Sequence, residues 1–398
     1  MPTEQSSTLS NTQYLKQFTN KAMASRIPLD GSIELTHRCN LRCIHCYLGD
    51  QTTIRTHQAE ELTTTEVLDA IDQMVAAGTL NLTITGGDPM IRQDFPDIYA
   101  YAVKKGLLIT VFCDGILVTD RIIDLFNKFP PRNIEISLYG ATRQTYELIT
   151  QVKGAYQHCI EGIQRLKANG HRFKLKTVLM EQNKHELKKM ESMAKSYGVD
   201  FYLDWAIFPC MPSVDNCGHS NTRPAHQKAS IEVTPPSFKD PLDLRVNPIE
   251  AAELDISNDE QIEKYAEFYI RTKDMQASDY LYQCGAGLTT FHIDPYGNMQ
   301  PCTVYTKAQY NLRQGSFLDG WNGPIAKIRK IKIDDDNPCT ACHLRNLCRG
   351  CPPIFALENG NGNTKSEYIC QTTQAVYERI ENKVTSLLRN QHYENKDR

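Results

Sequence analysis

Cys39-Asn-Leu-Arg-Cys43-Ile-His-Cys46 sets three cysteines at C-x3-C-x2-C spacing on a short loop, straight after the apolar-alternating run Ser32 to Leu35. Thiolates are soft ligands, and clustered cysteines in a chain without secretion features bind metal more often than they pair as disulfides. Three is the informative number. A structural zinc site or a ferredoxin-type cluster takes four cysteines, so three leave one iron of a [4Fe–4S] cluster without a protein ligand. An open iron is a place where a small molecule can coordinate. The competing arrangement is a zinc knuckle completed by His37 or His45.

A second cysteine block begins at residue 284. It runs Cys284-x12-Gly297-x4-Cys302, then Cys339-x2-Cys342-x5-Cys348-x2-Cys351, then Cys370. A four-cysteine zinc ribbon would account for 339–351 and leave Cys284, Cys302 and Cys370 idle. Of the fourteen cysteines, four stand outside both blocks: Cys113, Cys159, Cys210 and Cys217. Cys113 and Cys159 fall within strand and helix patterns and read as buried small hydrophobes. Cys210 and Cys217 lie in an irregular stretch from which either can approach a cluster.

Regular elements must hold these loops in place. From Ile27 to about Pro209 the chain alternates strand and helix. The expected strands are Ser32–Leu35, Leu80–Thr85, Leu107–Phe112, Asn133–Leu138, Phe173–Leu179 and Phe201–Ile207. Amphipathic helical patterns separate them at Thr64–Ala77, Phe95–Lys105, Asp120–Phe126, Tyr156–Asn169 and Lys184–Tyr197. Gly78, Gly106, Gly170 and Gly198 sit where a helix ends left-handed. This rhythm predicts an α/β fold with a parallel sheet and right-handed crossovers, a partial (β/α)6 TIM-like barrel. The first cysteine loop follows the first strand, at the C-terminal face where such barrels place chemistry. Asp204 and Trp205 end the sixth strand and face the same mouth.

The expected organisation is a lead-in over 1–26, the partial barrel over 27–210 and a connector or lid over 211–280. A small cysteine-rich α+β domain over 281–372 and a C-terminal helix and tail over 373–398 complete it. Seven prolines between 209 and 248 make the connector irregular. Helical patterns return at Pro248–Leu254, Gln261–Met275 and Gln371–Leu388. A net charge of −3 and the lack of a long basic run predict no nucleic-acid partner. No apolar run approaches the roughly 18 residues of a membrane span, and Met1 to Lys16 contains no signal-peptide core. The expected compartment is the cytoplasm, where thiols stay reduced.

The three-cysteine loop, with Tyr47 following it, resembles the signature of radical S-adenosylmethionine (radical SAM) enzymes. Thr85-Gly86-Gly87-Asp88-Pro89, at the end of the second strand, looks like that superfamily's glycine-rich motif for the amino group of SAM. Asp88 stands where the usual residue is Glu. His45 matches the position whose backbone contacts adenine, and Ser137, in Ile136-Ser-Leu-Tyr-Gly140, resembles the ribose contact. The carboxylate partner stays open, with Ile149, Thr150 and Lys153 near the usual place. The resemblance implies that SAM binds the open iron. An electron from the cluster then splits SAM to a 5′-deoxyadenosyl radical, which abstracts a substrate hydrogen.

The C-terminal block, with its Asp294-Pro-Tyr-Gly-Asn298 turn, resembles the SPASM domain, which carries two auxiliary [4Fe–4S] clusters. Two residues rather than the usual three separate Cys348 from Cys351. Carried over, the family pattern gives Cys284, Cys302 and Cys351 to the nearer cluster, and Cys339, Cys342, Cys348 and Cys370 to the outer one. Seven ligands leave one iron short, so either Cys210 or Cys217 supplies an eighth or that iron binds substrate. SPASM enzymes mostly modify peptides or proteins, so the expected substrate is a ribosomally synthesised precursor peptide, cross-linked, epimerised or excised. Only 38 residues precede Cys39, so a leader-binding winged-helix module is expected as a separate small protein, beside a flavodoxin- or ferredoxin-type reductant. The alternatives are a small-molecule enzyme of cofactor or tetrapyrrole synthesis and a sulfatase maturase. The latter generally has an acid where this chain has Thr303. A non-enzymatic iron–sulfur or zinc scaffold has no use for an open iron beside a SAM pocket.

Overall fold

The computed structural model describes residues 10–211, 241–275 and 278–394. Six parallel strands follow in chain order: β1 (Asp30–Glu34), β2 (Asn81–Thr85), β3 (Leu108–Cys113), β4 (Asn133–Ser137), β5 (Phe173–Val178) and β6 (Phe201–Asp204). β2, β4 and β5 alternate buried with half-buried residues. Helices fill the crossovers. In Thr64–Ala76, Thr63 and Glu66 form a reciprocal cap, and Val67, Ala70, Ile71 and Met74 make one buried stripe. The four expected glycines after helices all have positive φ.

The sheet does not stop at β1. β7 (Thr290–Ile293) pairs parallel with β1 on its free side, and β8 (Asn298–Gln300) and β9 (Tyr310–Asn311) continue as an antiparallel meander. The resulting order is β6-β5-β4-β3-β2-β1-β7-β8-β9, an open barrel extended by the cysteine-rich segment. One core crosses the join. Ile33, Ile84, Val111, Ile136 and Leu175 share it with Phe291, Ile293, Met299 and Trp321. Sequence periodicity located the Asp294–Asn298 turn but carries no sign of which older strand the hairpin joins.

The described part of the connector, 241–275, forms helices Pro248–Asp255 and Asp259–Thr272. They pack on the C-terminal helix Glu367–Glu394 through Ala252, Ala266, Val376 and Ile380. Residues 212–240 of the expected lid lie outside the described residues. A helix that periodicity missed, Arg143–Thr150, follows the β4 turn. It is only eight residues long, capped by Thr142, and buries Tyr146, Ile149 and Thr150.

Candidate active site at the mouth of the open barrel

The first cysteine loop is pinned from three sides. Arg42 and Ile44 donate backbone N–H bonds, each 3.0 Å, to the carbonyls of Thr150 and Ile149. Gln51 accepts from the Cys39 N–H at 2.7 Å and donates to the His37 carbonyl at 3.1 Å. Ile149 and Thr150, which the spacing placed near a SAM carboxylate, are buried and hold the loop through their backbones.

Cys39, Cys43 and Cys46 line one part of a cavity of about 310 Å³, at the lower end of the ~300–1,000 Å³ typical of small-ligand sites. Burial pushes the Cys39 and Cys43 thiols well above their ordinary value, and nearby Asp114 adds to the shift. A buried thiol set beside a carboxylate needs a cationic centre to ionise, and an iron–sulfur cluster supplies one. His37 is committed elsewhere: its Nε2 lies 2.8 Å from Glu34 Oε2 and its ring meets Tyr296 edge-on. Among the described residues, no three His, Cys, Asp or Glu gather tightly enough to hold a single metal ion. The donor set therefore fits a cluster better than a zinc knuckle.

His45 also lines the cavity, with its ring against Tyr139 at 4.5 Å between centroids. Burial lowers its imidazole to about 4, and its Nδ1 is buried without a hydrogen-bond partner. An orphaned nitrogen beside a cavity suits a heteroaromatic ligand. Ser137 lines the same space at the end of β4.

Gly86 and Gly87 line the cavity too, but their first duty is to the protein. A Cβ at Gly86, where φ is +143°, would lie 2.1 Å from the Thr36 carbonyl oxygen; one at Gly87 would lie 2.4 Å from that of Arg38. The Gly87 N–H donates to Thr36 at 2.8 Å, so it is not free for a ligand, contrary to what the motif implies. Asp88 and Pro89 are absent from the lining and buried. Asp88 accepts from the N–H groups of Met90 and Asp114, at 2.9 and 3.0 Å. It anchors the β2 and β3 turns rather than facing a ligand.

Three lining residues carry no signature in the sequence motifs. Asp114 ends β3, Tyr139 follows Ser137, and Lys176 projects inward from β5. A lysine at a half-buried position of an alternating strand was the available signal for the last. Asp204 lines the cavity as expected, whereas Trp205 is buried behind it. Asp204 accepts from the Ala206 N–H at 3.0 Å and faces Arg349 at 3.6 Å. Arg349 also reaches Asp255 and Tyr265, and its guanidinium stands over the Trp205 ring.

A buried ionic knot lies behind the loop. Burial alone would raise the Glu34 carboxyl, but His37 and His292 hold it well below the usual carboxylate range. Tyr47, next to Cys46, reaches Glu34 at 3.2 Å. His292 reaches Thr303, next to Cys302, at 3.5 Å. The knot ties the first cysteine loop to the second block.

The seven late cysteines fall into two neighbourhoods. Burial raises Cys351 to about 12, with Cys302 and Cys284 adding to it, and Cys302 to about 11, with Cys284 adding. Burial likewise raises Cys370 to about 11, with Cys348 and Cys339 as neighbours, while Cys348 and Cys342 adjoin Cys339. The groupings are those the family pattern implied. Cys210 is disulfide-bonded, and Cys217 lies outside the described residues.

Comparison with known proteins bears on the whole chain. The pattern of the radical SAM superfamily matches residues 33–194, and that of the SPASM iron–sulfur cluster-binding domain matches 284–352. An AdoMet-dependent heme synthase of Methanosarcina barkeri is 23% identical over 80% of this chain and 89% of its own length. A PqqA peptide cyclase of Granulibacter bethesdensis is 24% identical over 80% of this chain and 81% of its own. In three dimensions, Streptococcus suis SuiB bound to precursor peptide SuiA superposes with a TM-score of 0.65 at 16% identity, covering 93% of this chain and 84% of SuiB.

Proposed function

Because the chain belongs to the radical SAM superfamily and carries a SPASM domain, we propose that it modifies a ribosomally made precursor peptide by hydrogen abstraction. Cys39, Cys43 and Cys46 hold the SAM-binding [4Fe–4S] cluster. Cys284, Cys302 and Cys351 hold one auxiliary cluster, and Cys339, Cys342, Cys348 and Cys370 the other. When bound, cluster and SAM supply a 5′-deoxyadenosyl radical that takes a hydrogen atom from the substrate. Gly86, Gly87, His45 and Ser137 face the cofactor, while Asp88 and Pro89 shape the turn beneath it. Ile207, Phe208 and Leu48 give the cavity an apolar wall, which excludes water from a radical.

The observation that carries the enzymatic reading is the meeting of the three-cysteine loop, Gly86-Gly87 and Ser137 around one cavity. The peptide substrate is supported by relatives such as the PqqA peptide cyclase. The heme synthase likeness favours a second reading, a small-molecule substrate of tetrapyrrole type. A separate winged-helix leader-binding protein, a flavodoxin- or ferredoxin-type reductant and a cytoplasmic setting belong to the first reading.

The test is anaerobic reconstitution with iron and sulfide, followed by SAM and dithionite. About twelve irons per chain and 5′-deoxyadenosine that disappears in the Cys39→Ala/Cys43→Ala/Cys46→Ala variant are expected. Zinc, or iron without SAM cleavage by the folded protein, would sink the enzymatic reading. Precursor peptides and porphyrins offered in parallel separate the two substrates by which one becomes modified.

A further inference from the structure

Lys176 is the one lysine or arginine among the residues that line the cavity. It sits on β5 directly opposite Ser137 on β4, one strand from β6 and Asp204. Its ammonium stands over the Phe112 ring, 3.2 Å from the centroid. The nearest carboxylate oxygen, Glu135 Oε2, is 3.6 Å away, beyond hydrogen-bond length. The ammonium is thus a cation held by an aromatic face and a distant charge, with N–H donors directed at a cavity. An enclosed cation of this kind is unfavourable unless an anion completes it. Burial lowers its pKa to about 8, with Glu135 opposing the shift, so it remains charged at neutral pH.

We infer that Lys176 is the cavity's carboxylate receptor, binding either the carboxylate of SAM or an acidic group of the substrate. This rests on the reading of the cavity as the cofactor and substrate site. Both sources present the same chemistry to the ammonium, a single –COO⁻ group accepting charge-assisted hydrogen bonds. Asp114 and Asp204, which line the same cavity, repel a carboxylate placed anywhere else, so the one cation fixes its position. Ser137 as register neighbour sets that position beside the sugar of a bound nucleoside, close to where hydrogen abstraction takes place.

The experiment is equilibrium binding to the reconstituted protein, as wild type, Lys176→Met and Lys176→Arg, each checked for iron content and melting temperature. The probes are SAM, decarboxylated SAM, and labelled succinate offered to SAM-loaded protein. If SAM supplies the carboxylate, wild type binds SAM at least tenfold more tightly than its decarboxylated analogue. K176M then erases that preference and K176R keeps most of it. If the substrate supplies it, SAM and analogue bind alike to all three proteins, while wild type retains succinate and K176M does not. Equal binding of SAM and analogue by wild type, together with no retention of succinate, overturns the inference. That outcome is read on wild type alone, so it needs no variant to fold, and it is separate from SAM cleavage, which tests the enzymatic reading.

Discussion

The guanidinium of Arg349 lies 3.6 Å from the carboxylate of Asp204, joining the Cys348-Arg-Gly-Cys351 segment to the wall of the barrel cavity. The same guanidinium faces Asp255, which is buried and already accepts from Trp205 and Tyr265 at 3.1 and 2.9 Å. One side chain therefore braces the cysteine-rich region against both the cavity and the connector helices.

Arg349→Met should lower stability by about 1–3 kcal/mol, because Asp255 keeps its neutral donors but loses its cation. Asp204→Asn should change stability by under about 1 kcal/mol, since a third-exposed acid is screened by water. Anaerobic melts of the single and double variants give the coupling. Additive effects would show that the brace runs through Asp255 alone.

Gly86→Ala should cost about 3 kcal/mol or more, since the new Cβ meets a backbone oxygen and φ is unfavourable as well. Gly106→Ala, with positive φ but open space around it, should cost about 1 kcal/mol. Comparing soluble yield and melting temperature of the two separates crowding at the β1–β2 junction from simple backbone strain. If both lose equally, crowding is not the reason for a glycine at 86.

Carboxylate binding at Lys176 should be full below about pH 8 and fall up to about tenfold per unit above it. The protonated ammonium is the binding form and burial has lowered its pKa to about 8. Glu135 from β4, Cys113 and Asp114 from β3 and Asp204 from β6 are the charged or titratable groups around it. Binding isotherms from pH 6.5 to 9.5 read the profile. Lys176→Arg should flatten it, because a guanidinium stays charged throughout.

Asp94 offers the opposite sign. Its hydrogen bond from Arg92 leads in lowering its carboxyl to about 2, with Thr64 assisting. A depressed acid contributes stability that is full above its unfolded value near 4 and is lost as pH falls towards 2. Asp94→Asn should therefore be less stable than wild type at pH 7 by about 1–2 kcal/mol, with the gap closing between pH 4 and 2. Denaturant melts at pH 7, 4 and 3 check this, and a gap independent of pH would refute it.

The barrel was legible because period-two runs and glycine stops leave a local imprint, and all six expected strands appear with shifted ends. The cysteine neighbourhoods were legible through spacing matched to a family pattern, which physical periodicity alone does not supply. Lys176 and Asp114 were not. Their importance comes from facing one cavity across strands distant in sequence, and inward direction depends on register. The Gly86-Gly87 pair was found for the wrong first reason: crowding against Thr36 and Arg38 demands glycine before any ligand does. Arg143–Thr150 was missed because eight residues give barely two helical turns of periodicity, and tertiary burial stabilises it.

The pairing of β1 with β7 also sets a timetable. Ser32 and His292 face each other 260 residues apart, so during synthesis the first strand leaves the ribosome long before one of its neighbours exists. Until then its outer edge presents unpaired amides, the template on which strands from other chains can add. The nascent chain is therefore most vulnerable to misassociation after the six parallel strands have formed and before the late hairpin arrives. Truncation ahead of residue 290 would leave that edge open permanently.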